Sequence, residues 1–259
     1  MRVALGVEYD GTAFAGWQSQ AHGNTVQDVL ETALGRIAGE HVRVSCAGRT
    51  DAGVHALAQV VHFDTDVARP LSAWVRGANS HLPPAVAVRW AQPVADGFHA
   101  RFCALSRSYR YVLLNRPVRP ALQHGRVGWF HHALDVEAMR EAAQVLLGEH
   151  DFSAFRAAEC QAKTPVKVCH RADIARDGDL VIFDFRASAF LHHMVRNLVG
   201  ALVYVGTGKH SPQWIAELLA SRDRTRAAPT FDAAGLYFVG VEYAPEWGLP
   251  PPGGGIIRP

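Results

Sequence analysis

The chain has 259 residues, 49% of them hydrophobic and 19% charged, with a formal net charge of +2. That is enough apolar material for a sizeable core. Cys46, Cys103, Cys160 and Cys169 are too scattered for a disulfide scaffold and lack the C-x-x-C spacing of a zinc site. No apolar run reaches the roughly eighteen residues of a membrane span. Met1-Arg2-Val3-Ala4-Leu5 enters strand-like alternation with no basic-then-apolar signal peptide, so the expected location is the cytoplasm.

The first predicted element is a strand over 2–9. An amphipathic helix follows over 26–38, with Thr25 as its N-cap, Asp28 three residues on, and Val26, Leu30, Ala33, Leu34 and Ile37 along one face. Strands are predicted over 42–47 and 57–63, then a helix entered at Pro70 and a strand over 85–94. The second half repeats the plan. A strand over 105–115 precedes a helix over 136–147, which has Asp135 at its start and Gly148 past its end. Strands over 166–175 and 180–187 form a hairpin about Asp177-Gly178, a strong two-residue turn signal. An apolar helix over 190–205, a second helix over 214–220 entered by Ser211-Pro212, and a closing strand over 235–243 complete it.

Both halves read βαββαβ, the second with one helix inserted, which is ferredoxin-like in plan. The expected fold is α+β. Two subdomains share a mixed, largely antiparallel sheet with helices on one face and a basic cleft at the join. The expected division is an N-terminal subdomain over 1–100, a C-terminal one over 101–245, and an extended Pro/Gly-rich tail over 246–259.

Charge is unevenly spread. No Asp or Glu occurs over 97–134, whereas Arg101, Arg107, Arg110, Arg116, Arg119 and Arg126 do. A second acid-free stretch, 185–216, carries Arg186, Arg196 and Lys209. Arginine outnumbers lysine 23 to 3, and guanidinium is the better bidentate phosphate ligand. With Phe102, Tyr109, Tyr111, Trp129 and Phe130 interleaved, these stretches suit a polyanion with exposed bases, and RNA fits better than a small acidic metabolite.

Between Glu40 and Asp64 the chain has one carboxylate, Asp51, within Gly48-Arg49-Thr50-Asp51-Ala52-Gly53-Val54-His55-Ala56. Glycines and an arginine around an acid, after a strand, suit a tight connection that fixes one carboxylate for nucleophilic or general-base work. Arg49, two residues away, is the expected counter-charge for it. A polar turn capped by its own Asp is the competing reading. Arg107, Tyr109 and Tyr111 share one strand face, an arrangement uncommon for a core. Arg196, inside an apolar helix, needs a partner, and Asp51 would satisfy it. His192 and His193 lie within one turn of Arg196, but adjacent histidines point to different helix faces, which is poor metal geometry. Gly206-Thr207-Gly208-Lys209 lacks the preceding Gly and following Ser or Thr of a phosphate loop and is discarded.

The Gly48–Ala56 segment resembles the signature of the tRNA pseudouridine synthase A family. Five further blocks stand in that family's order. They are Glu8-Tyr9-Asp10-Gly11-Thr12 with Phe14 and Gly16-Trp17-Gln18; Asn24-Thr25-Val26-Gln27; Ser108-Tyr109-Arg110-Tyr111; His192-His193-Met194-Val195-Arg196-Asn197; and Ala234-Gly235-Leu236-Tyr237. The resemblance implies isomerisation of uridine to pseudouridine at positions 38, 39 and 40 of the tRNA anticodon stem-loop, by a homodimer that also contacts the tRNA elbow. It implies Asp51 as the catalytic nucleophile or base and Arg196 as its orienting partner. Tyr109 would stack on the target base, Arg49 assist its extrusion and Leu236 line the pocket. Arg107 and Arg110 are the candidate backbone contacts. No cofactor or metal is required, because the reaction only rearranges bonds. Attack on the sugar, attack on the base and a glycal route all stay open. So do a different RNA position and a non-catalytic RNA-binding module. A glycosidase-like hydrolase would need a second nearby carboxylate, which the Asp51 segment does not supply but a distant residue such as Asp10 could, so that reading is weakened and stays open.

Overall fold

The computed structural model describes residues 1–21 and 23–251, whose ten strands pair mostly antiparallel and alternate with five helices, an α+β fold. The chain divides into two compact units. The first holds Met1–Ser106 together with 237–251, and the second is Arg107–Leu236.

In the first unit, β1 (Arg2–Tyr9) lies between β3 (His55–Asp64) and β4 (Val86–Val94), antiparallel to both, and the two-residue β2 (Ser45–Cys46) pairs with β3. Helix α1 (Val26–Ala38) starts where expected: the Thr25 hydroxyl accepts the Asp28 N–H, and Gly39 ends the helix in a left-handed conformation. The helix entered near Pro70 carries a π-type turn, Ala73–Gly77, before α2 (Ala78–His81). Val3, Leu5, Leu30, Leu34, Val61, Phe63 and Trp74 form the core of this unit. They are the alternating strand positions and the apolar helix face that the sequence marks.

The expected boundary needs a correction. Strand β10 (Leu236–Tyr243), assigned by its order to the second subdomain, belongs from Tyr237 to the first unit. Tyr237 and Phe238 pair in parallel with His55 and Ala56, and the Tyr237 ring stacks on His55 at 4.6 Å. The tail also begins later than expected, because Pro245–Trp247 is a 3₁₀ turn whose Trp247 packs edge-on against Phe98. Past it, Gln92 donates its side-chain amide to the Gly248 carbonyl. The rest of the expected tail, 252–259, lies outside the described residues.

In the second unit β5 (Ala104–Asn115), which enters from the first, pairs with β9 (Leu180–Ala187), and β9 with β8 (Val166–Asp177). Two short strands escaped the periodicity, β6 (Gly128–Phe130) on β5 and β7 (Gly148–Asp151) on β8. Helices α3 (Val136–Gln144), α4 (Met194–Gly206) and α5 (Trp214–Ser221) complete the unit, with α4 buried on nearly every side. Gly206–Lys209 is the turn that ends α4: Gly208 is left-handed, and the Lys209 ammonium lies 3.8 Å from the centre of the Tyr204 ring.

Candidate active site

The Asp51 loop runs from the end of β2 into β3 and is held from beneath. Thr50 turns inward, its hydroxyl 2.8 Å from the buried Tyr9 hydroxyl. The Gln59 side-chain amide donates to the Gly48 carbonyl at 2.7 Å and accepts the Gly48 N–H. Burial pushes the Tyr9 phenol well above its ordinary pKa, so it stays a neutral hydrogen-bonding group. With Thr50 anchored inward, Arg49 is exposed and Asp51 half-buried on either side of it.

The loop is also clamped by main chain. Trp17 N–H donates to the Thr50 carbonyl and Gly53 N–H to that of Phe14, while Val54 N–H closes a turn onto the Asp51 carbonyl. Gly16, at φ +97°, passes so close that a Cβ there would sit 2.9 Å from the Thr50 oxygen. A Cβ on Gly11 would sit 2.0 Å from the Val54 oxygen. Residues 14–17 are fixed in turn by α1: Val26 and Gln27 N–H groups donate to the Gly16 and Trp17 carbonyls, and the Gln27 side chain accepts from Ser19 N–H and the Gln18 amide. Three of the sequence blocks are thus one device that immobilises a carboxylate. His55, the motif's histidine, is buried under Tyr237 and accepts the Gly11 N–H. Asp10 accepts the N–H and hydroxyl of Thr12.

In the second unit, Arg107 and Tyr109 lie on one face of β5 with Tyr111. That face is a core face, contrary to the expectation. Tyr111 is fully buried against Phe183 and Phe231, and Tyr109, at 9% exposure, stands at the core's margin with Phe190 edge-on at 4.9 Å. An arginine sits on this face opposite Ala187, the last residue of β9, where its guanidinium donates to the Ser188 carbonyl. Arg110 points the other way: Asp184, directly across on β9, takes its guanidinium in two parallel bonds of 2.8 and 2.9 Å. That pair, with the Asp184 hydrogen bond as the main cause, raises the Arg110 pKa.

Arg196 sits in the first turn of α4, which begins later than expected. His192 and His193 precede the helix, with His193 at φ 60°, so their rings lie 3.9 Å apart, tilted by 37°, rather than diverging. The Arg196 Nε donates to the Phe231 carbonyl, and the Phe231 N–H returns a bond to the Arg196 carbonyl. Next along the chain, the Tyr111 hydroxyl donates to the Asp232 carbonyl. The chain then reaches Gly235, where a Cβ would meet the Val112 oxygen at 2.4 Å, and the buried Leu236. The segment 231–236 thereby ties Arg196, Leu236 and the Tyr111 end of the β5 face together.

Sequence reasoning missed the residues that hold this segment. Asn197 is fully buried; its amide donates to the Phe155 carbonyl, and its oxygen accepts from Arg224 and Thr230. Asn197 stood in a recognised block, but nothing in the sequence marks Arg224 or Thr230.

An α+β chain that devotes three segments to fixing one carboxylate, and carries tyrosines and an arginine on one strand face of its other unit, suits an enzyme that acts on a nucleobase. Comparison with known proteins makes this specific. A family model described as tRNA pseudouridine synthase matches residues 6–103 and 142–244. The tRNA pseudouridine synthase A of Aromatoleum aromaticum is 68% identical over 259 residues, covering 100% of this chain and 98% of its own. That of Dechloromonas aromatica is 68% identical over 252 residues, with 97% and 96% covered, and that of Chromobacterium violaceum 66% over 251, with 96% of each. The chain belongs to the tRNA pseudouridine synthase family, and it is an isomerase. No helix among the described residues is long and apolar enough to cross a membrane.

Proposed function

We propose that this chain isomerises uridine to pseudouridine at positions 38, 39 and 40 of the tRNA anticodon arm, in the cytoplasm and as a homodimer, with Asp51 initiating the reaction. The observation that carries the reading is the immobilised Asp51 loop, clamped by Trp17 and Gly53 main-chain bonds and by Gln59. A passive binding module has no use for a fixed carboxylate in a surface meant for phosphate, where it repels the ligand. The reaction breaks the N1–C1′ bond, turns the base and forms a C5–C1′ bond. A proton leaves C5 and N1 takes one up, so no atom is gained or lost and no co-reactant is consumed.

In this reading Tyr109 stacks on the displaced uracil, as aromatic rings do for bases taken out of a stack. Arg196, held by Phe231, is the orienting charge. Arg49 reaches from the exposed side of the loop to the RNA, Leu236 supplies apolar lining, and Arg107 a backbone contact. Arg110, already paired with Asp184, is the weaker candidate for such a contact.

The test is to map pseudouridine in an unmodified tRNA after incubation with the purified protein, beside the Asp51→Asn variant. The wild type is expected to convert uridines 38–40. The variant is expected to make no product and to bind tRNA within about twofold of wild type, because the amide keeps the shape but loses the base. Turnover by Asp51→Asn would falsify the assignment of Asp51, and modification elsewhere in the tRNA would overturn the positions.

A further inference from the structure

Phe102 is 76% exposed, among the most exposed large apolar side chains of the first unit, yet it is not on a slack loop. The turn that carries it is tied at several points. Arg101 and Phe102 N–H groups both donate to His99 Nδ1, at 3.1 and 3.4 Å, and Cys103 N–H donates to the His99 carbonyl. Ala100 N–H donates to Nδ1 of the buried His62 at 3.2 Å, which fastens the turn to β3. The His99 imidazole then backs the Phe102 ring, centroid to centroid at 4.2 Å and 34° between planes. Water would favour folding such a ring inward. The turn instead holds it out with one side braced, which is how a stacking ligand is met without an ordering cost on binding.

Its surroundings match an RNA strand. Arg101 stands 5.8 Å from the Phe102 ring centre, and Leu105 is exposed three residues on. The stretch lies within the acid-free run 97–134. His62 also fixes where the turn sits, since its β2 partner is Ser45, the residue before Cys46 and four before Arg49. The Cys46 thiol, pushed up to about 12 by burial, has the positive charges of both Arg49 and Arg101 acting against that shift.

We propose that Phe102, braced by His99 and flanked by Arg101, is a platform on which an unpaired nucleotide of the RNA stacks, other than the one being isomerised, on the Arg49 side of the Asp51 loop. The inference rests on the proposed function for the identity of the RNA, but its readout does not. A base has an aromatic face and a charged backbone at its edge; the platform offers a ring for the first and guanidiniums for the second. A paired stem does not present such a face, so the occupant is a loop or extruded nucleotide.

The experiment measures binding of fluorescently labelled unmodified tRNA by Phe102→Ala, Phe102→Leu, Phe102→Tyr and Phe102→Trp, with thermal unfolding and product formation alongside. Loss of a base-on-aromatic stack is expected to weaken binding by Ala and Leu about tenfold or more. Tyr and Trp are expected to stay within about threefold of wild type, and every unfolding midpoint to stay within a degree or two. Wild-type binding by Ala and Leu, or a loss that Tyr and Trp fail to restore, would overturn the platform. So would unchanged RNA affinity with a shift in sedimentation, which would make Phe102 a contact between protein copies. A wild type that binds tRNA but forms no pseudouridine would sink the proposed function and leave the platform standing.

Discussion

Arg107 and Arg110 are three residues apart on one strand and share charge, side-chain length and sequence context, yet they have opposite fates. Strand alternation puts them on different faces, and Asp184 happens to lie across from one of them. At this scale the decisive variable is the partner, which for Arg110 is 74 residues away in sequence. Tyr109 poses the same problem, because a residue at 9% exposure serves equally as core and as pocket wall. The two roles separate on substitution. Tyr109→Phe keeps the ring and is expected to bind tRNA normally, losing only what the hydroxyl contributes to turnover. Tyr109→Leu loses the stack as well, worth about 1–3 kcal/mol per base, and is expected to fall further in catalysis. Single-turnover rates decide the matter: two variants as fast as wild type would make Tyr109 a packing residue.

Among the elements, the Asp51 loop depends on a neighbour that carries no chemistry. Segment 14–17 passes so close that only glycine fits at position 16, both for its φ of +97° and for the 2.9 Å approach to the Thr50 oxygen. Gly16→Ala is therefore expected to cost about 1–3 kcal/mol through strain and overpacking. Because the atom it would strike belongs to the residue before Asp51, turnover is expected to fall by more than tRNA affinity. Denaturant unfolding with parallel binding and rate measurements checks both parts. A variant that loses stability but keeps its full turnover number would show that the clamp does not position the acid.

For the molecule as a whole, the pH dependence of stability has an identifiable contributor in His62. Burial first, then the charges of His99 and Arg2, lower its pKa to about 4 from an ordinary value near 6.5. Between those values the unfolded chain binds a proton that the folded chain refuses, so stability falls as pH drops through this window and levels off below it. Asp64, held below its usual pKa chiefly by the Arg2 hydrogen bond, loses its contribution only at lower pH. Thermal midpoints of the wild type are expected to decline from pH 7 to 4.5, and those of His62→Gln to decline less; identical slopes would exclude His62 as the cause. The proposed homodimer belongs to this scale too. A tRNA is longer than a 28.2 kDa subunit is wide, and two-fold pairing is the commonest way to extend a binding surface. Sedimentation at assay concentration is expected to give a dimer, and a fully active monomer on intact tRNA would end the idea.

The sequence alone determined what depends on local periodicity and local chemistry. Strand alternation, the Thr25 cap, the β8–β9 hairpin (whose turn is Gly178-Asp179, one residue past the expected pair) and the α+β order were legible because each rests on residues a few positions apart. Asp51 was legible as one carboxylate in a glycine-rich connection, and the collinear blocks marked Tyr109, Arg196 and Leu236 without showing what joins them. Tertiary structure decided whatever depends on long-range partners. It moved β10 to the first unit through two residues pairing with β3, and it shortened α4 because His193 adopts φ 60°. It turned Gly16, Trp17 and Gln27 into the loop's clamp, and it gave Arg196 its brace through Asn197, Arg224 and Thr230. No window along the chain contains those pairs, because hydrogen bonds and close backbone approaches are satisfied in space, between segments that periodicity describes only one at a time.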